Sequence, residues 1–76
     1  MTGQEWVAAF AAELGAKAPD EETMSRLLAL AGIAAHSSER LAGPLACYIA
    51  GAAGIEADAA LAAARAVSAR AVSAEG

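Results

Sequence analysis

Cysteine is almost missing from this chain of 76 residues: Cys47 stands alone, so no disulfide can close within it. A single thiol suits a reducing compartment, and the cytoplasm is the expected location. Basic residues are scarce too, with five Lys and Arg against nine Asp and Glu and a net charge of −4. Those five, Lys17, Arg26, Arg40, Arg65 and Arg70, are scattered along the chain. A nucleic-acid binder gathers its basic residues into one patch, and an anionic bilayer recruits clustered Lys and Arg. Neither pattern is present, so neither nucleic acid nor membrane is an expected partner. Long apolar runs are also missing. The run around "LLALAGIAAH" is about ten residues, whereas a membrane span needs roughly 20. The opening "MTGQEWVAAF" has no basic region before its apolar residues, so no secretory leader is expected.

Strand signals are absent: β-branched residues are few, period-2 alternation does not occur, and there is no Asn-Gly or Asp-Gly hairpin turn. The motifs of several chemistries are absent as well. No glycine-rich loop leads into Lys-Ser or Lys-Thr. The run Asp20-Glu21-Glu22 lacks the alternating spacing of a calcium loop. An acidic helical chain of this size could be a carrier protein, but that requires a Ser in an Asp-Ser-Leu setting at a helix start, and none is present. His36 and Cys47, eleven residues apart, do not supply the roughly four ligands of a zinc site. Cys47 also lacks the adjacent base that an activated nucleophile needs. No catalytic residue, metal ligand or cofactor is expected.

Alanine supplies most of the 58% hydrophobic fraction. The large apolar side chains suffice for one thin core in a single helical domain spanning residues 1–76, ordered over about 3–72. Chains this small gain stability from disulfides, metals or association. With the first two set aside, a protein partner or self-association, such as a homodimer, is expected.

The positive signals are helical, and they recur four times. Thr2 and Glu5 form a Thr-x-x-Glu capping box before Trp6, Phe10 and Leu14, which fall at i, i+4 and i+8 with Val7 beside them. Trp6 on this stripe is expected in the core. Gly15 is placed to end the helix. Asp20 caps a second helix, with Glu21 and Glu22 at the positive end of its dipole and Met24, Leu27, Leu28 and Ala31 on one face. Leu30 and Ile33 widen that face, which predicts the central helix. A third helix carries Leu45, Tyr48, Ile49 and Ala52 as its inward stripe, with Leu41 four residues earlier. Pro44 fits its first position, or a kink if the helix starts sooner. A fourth, Ala-rich helix begins around Glu56 to Asp58, with a weak stripe of Leu61, Ala64, Ser68 and Val72. Its end repeats "RAVSA" and is expected to fray beyond about Val72. The fold class is therefore all-α, a small bundle of four helices with the second at the centre.

The corner between helices two and three, "AHSSERLAGP", holds more polar types than a turn needs. His36 in the last turn can bond free carbonyls and complement the helix dipole. Ser37 or Ser38 can cap the next turn, and Glu39 and Arg40 can pair locally or reach back to the acidic start of helix two. The same residues could form a contact surface. His36, Ser38, Glu39 and Arg40 are the candidate interaction or ligand corner, either as a docking patch or as an anion or small-ligand site.

Beside this reading, the chain resembles a family. Trp6, Leu14-Gly15, the "LLALAGIAAH" helix, Ser38-Glu39-Arg40, Pro44-Leu45 and Gly51, spread over roughly residues 4 to 70, are similar to a short domain of unknown function common in high-GC actinobacteria. That domain occurs alone or fused behind molybdenum-cofactor guanylyltransferase domains. The resemblance implies an accessory role in molybdenum-cofactor biosynthesis or molybdoenzyme maturation, without implying nucleotide transfer. Members often carry Pro near position 57, where this chain has Ala57, which leaves the start of helix four less sharply defined.

Overall fold

The structure, a computed structural model, describes the backbone of residues 1–75 and the side chains of residues 1–70. Four helices follow one another: α1 (Gly3–Glu13), α2 (Glu21–Ser37), α3 (Ala42–Ala52) and α4 (Ala57–Glu75). No strand occurs among the described residues. The molecule measures 45 × 24 × 18 Å. Helix α2 is central, packing against both α3 and α4.

The helix ends follow their local chemistry. At α1 the box is complete: Glu5 N–H donates to Thr2 Oγ1 at 3.1 Å, and Thr2 N–H donates to Glu5 Oε1 at 2.7 Å. At α2, Thr23 N–H donates to Asp20 Oδ1 at 2.7 Å. Both carboxyls titrate below the ordinary carboxylate range, chiefly because they accept a backbone N–H. Gly15 (φ 68) ends α1 and Gly54 (φ 70) ends α3. In each case the glycine N–H and the next N–H turn back onto the last carbonyls: Gly15 to Ala12 and Ala16 to Ala11, then Gly54 to Gly51 and Ile55 to Ala50. This is the Schellman pattern, and its left-handed residue carries no Cβ penalty when it is Gly. Helix α3 starts at Ala42, so Pro44 is its third residue, still within the first turn where a missing N–H leaves nothing unpaired.

The interior is small. Leu30, Ala50, Ala60 and Leu61 form its buried cluster, with Leu27, Ile33, Ala46, Cys47 and Ala64 packed around them. Three expected stripes need correcting. On α3 the inward face is Gly43, Ala46, Cys47 and Ala50, while Leu45, Tyr48 and Ile49 stay 52%, 73% and 65% exposed. The cause is close approach: a Cβ on Gly43 would lie 3.3 Å from the Ala31 carbonyl oxygen, so only a small-residue face admits α3 this near to α2. On α2, Leu30 rather than Leu28 is the central residue, and Leu28 faces outward. On α1 no residue is buried, and Trp6, Phe10 and Leu14 are exposed rather than in the core. On α4, Leu61, Ala64 and Ser68 do turn inward. The side chain of Val72 lies outside the described residues, and the backbone, expected to fray beyond Val72, is helical to Glu75.

Candidate functional site

The corner is built by the end of α2 and the turn before α3. Ser38 Oγ donates back to the Ala34 carbonyl at 2.7 Å, covering an acceptor that the helix end leaves free. Ser37 Oγ meets Ser68 Oγ at 2.6 Å, tying α2 to α4. Neither serine caps α3, whose N-terminus has no side-chain cap. The carbonyls of Glu39 and Arg40 accept from Ala42 N–H at 3.0 Å and Gly43 N–H at 3.2 Å and so open α3. The side chains of His36, Glu39 and Arg40 are exposed. Among the described residues, none of the three makes a side-chain hydrogen bond or ion pair, so the expected local Glu39–Arg40 pairing does not form. The cation engaged in ion pairs is Arg26, which holds Glu22 at 2.8 Å and also grips Asp58, linking α2 to the start of α4. Its charged form is favoured first by the hydrogen bond to Glu22.

The larger feature lies beside the corner. Because α3 and α4 both pack on α2, they leave a furrow between them. Leu30 and Ala34 of α2 form its floor, Ala46 and Ile49 of α3 one wall, and Ala64 and Val67 of α4 the other. One cavity there measures about 340 Å³ and is walled almost wholly by carbon. The furrow continues past Leu41 and Leu45 to Ser37, Ser38 and Ser68, so the two serines of the corner sit at its end. His36, Glu39 and Arg40 flank that end in sequence without lining it. The i, i+4, i+8 spacing of Leu41, Leu45 and Ile49 is visible in the sequence. Its direction is not, because that is set by the glycine and alanines on the opposite face. Among the described residues, no three His, Cys, Asp or Glu side chains converge as metal ligands would, and no helix is long and apolar enough to cross a membrane.

Compared with known families, residues 1–76 match the model described as "Domain of unknown function (DUF6457)". The chain belongs to this family. Neither the curated proteins nor the solved structures yield a match. In this DUF6457 domain the arrangement can bind by apolar contact along the furrow, with charged residues at its end. Helix α1 adds a second apolar surface. Trp6 and Phe10 stack with ring centroids 5.1 Å apart and planes 18° from parallel, and both stay about half exposed.

Proposed function

We propose that this DUF6457 domain is a non-catalytic interaction module that receives an amphipathic helix in the furrow between α3 and α4. The observation that supports this reading is the furrow itself: large aliphatic side chains (Leu41, Leu45, Ile49 and Val67) stand exposed along one continuous apolar channel. Helix-in-groove recognition uses such a channel, with anchors at i, i+3, i+4 and i+7 on the incoming helix. Contiguous exposed apolar surface on a small domain marks an interaction site. His36 and Arg40 sit by the furrow's end and would steer an acidic partner. The family resemblance directs the choice of partner toward proteins of molybdenum-cofactor biosynthesis or molybdoenzyme maturation.

Sedimentation velocity of the chain, alone and mixed with a purified molybdenum-cofactor guanylyltransferase, tests the proposal. Association that Ile49→Glu abolishes, with helical content and melting temperature retained, supports it. Association that survives both Ile49→Glu and Leu45→Glu, or no association of either kind, overturns it.

A further inference from the structure

The furrow has a matching occupant in the chain itself. A folded monomer of 7.5 kDa exposes about 4,200 Å². This chain exposes 5712 Å², a surplus of about 1,500 Å² over that expectation. A standard protein interface covers about 800 Å² on each partner and obligate ones more, so the surplus is nearly twice one standard face, the size that a reciprocal contact through both α1 and the furrow removes.

Helix α1 is the element least accounted for by its own fold. It has 11 residues and buries none of them, whereas isolated helices shorter than about 12 residues are marginal in water. Its capping box and the Trp6–Phe10 stack hold it locally, but its apolar stripe has no cover. Trp6 and Leu14 are eight residue steps apart, about 12 Å along a helix. The α4 wall of the furrow from Ala60 to Ser68 also covers eight steps, again about 12 Å. The charges agree as well. Helix α1 carries Glu5 and Glu13 and no basic residue. Arg40 adjoins Leu41 at the furrow's end, and Arg70 follows Ser68 there by two residues. Among the described residues neither Arg has an ion-pair partner.

We infer that the furrow's occupant is α1 of a second copy of this chain, exchanged reciprocally, with Trp6 and Phe10 entering the furrow and Glu5 or Glu13 facing Arg40 and Arg70. This rests on the helix-in-groove reading above and names its partner. A one-way contact of α1 with a neighbour's furrow would close only as a larger ring or run on into filaments, whereas a two-fold exchange closes at two chains.

Trp6 is the single tryptophan, so its fluorescence reports α1 directly. Sedimentation equilibrium of the full chain is expected to give twice the 7.5 kDa chain mass. Trp6 emission is expected to be blue-shifted in the dimer and to move to the red as dilution yields monomer. Trp6→Glu and Ile49→Glu, both at exposed positions, should each weaken association at least 100-fold with helical content retained. Ile49→Glu, although on α3, should redden Trp6. An equimolar mixture of the two variants should associate at least tenfold more tightly than either alone. It keeps one intact α1–furrow pair, and a pair already broken by one charge loses little more from a second. A monomeric wild type, Trp6 emission unchanged across dimerisation, or a dimer that survives Trp6→Glu each overturns the inference. If in those cases Ile49→Glu still abolishes association with another protein, the furrow reading stands and only its occupant is wrong.

Discussion

Ser37 and Ser68 are 31 positions apart and share one hydrogen bond, Oγ to Oγ at 2.6 Å. That bond fixes the rotation of α4 against the end of α2 and closes one end of the apolar furrow. In a double-mutant cycle of Ser37→Ala and Ser68→Ala, the coupling should be about 0.5–1 kcal/mol, as for a hydrogen bond that solvent can reach. Urea denaturation of the four proteins measures it, and a coupling of zero would mean that the bond does not restrain α4.

The interior and the exposed face of α3 should respond oppositely to truncation. Leu30→Ala removes the most buried large side chain, only 3% exposed, and should cost about 2–5 kcal/mol. Tyr48→Ala removes a larger side chain that is 73% exposed and should stay within about 0.5 kcal/mol of wild type. Thermal unfolding of the monomer decides between this face assignment and its reverse.

Glycines at two helical positions make a similar contrast. Gly32 has nothing within 4 Å of a Cβ, so Gly32→Ala should stabilise by about 0.5–1 kcal/mol through helix propensity. At Gly43 a Cβ would meet the Ala31 carbonyl oxygen at 3.3 Å and the Ala31 Cβ at 3.6 Å. Gly43→Val should therefore destabilise by about 1–3 kcal/mol through overpacking. Equal effects at the two sites would argue against close α2–α3 contact.

Acid should weaken the fold through its helix starts. Glu5 and Asp20 are lowered in the folded state, so the unfolded chain binds protons first as pH falls. Their contribution is complete above the ordinary carboxylate range near pH 4 and is lost as pH drops through the lower folded values. Melting temperature measured from pH 7 to pH 3 should decline in that acidic window. Asp20→Asn should flatten the decline, since the amide oxygen still accepts from Thr23 N–H but does not titrate.

The Arg26–Asp58 ion pair bridges α2 and α4 at the surface. Asp58→Ala should lower the melting temperature by no more than about 2 °C at low ionic strength, and the difference should vanish in 1 M salt, as screening requires. A loss that persists in salt would point to packing by the Arg26 stem instead.

How much of this was legible follows the reach of each signal. Capping boxes, a glycine end and the start of α2 depend on three to six consecutive residues, so Thr2, Glu5, Gly15 and Asp20 could be read directly. The central place of α2 followed from its broad apolar circumference. The inward faces of α1 and α3 were misread because large apolar side chains were assumed to turn inside. That rule fails on α3, where a glycine and alanines allow backbones to approach and the aliphatic residues opposite stay exposed. At the polar corner, the roles of Ser37 and Ser38 depended on Ser68 and on a free carbonyl at Ala34, which no spacing announces.

The inner face of α3 has one further consequence. Gly43, Ala46 and Ala50 have no side-chain torsion to turn, so this contact cannot accommodate an added methyl by a change of rotamer. A substitution there must move the helix axis. The separation of α3 from α2, and with it the width of the furrow, is set in part by Gly43, which lines neither section of the furrow. Among members of this family, an exchange at position 43 would retune what fits between α3 and α4 while leaving every side chain that lines the opening unchanged.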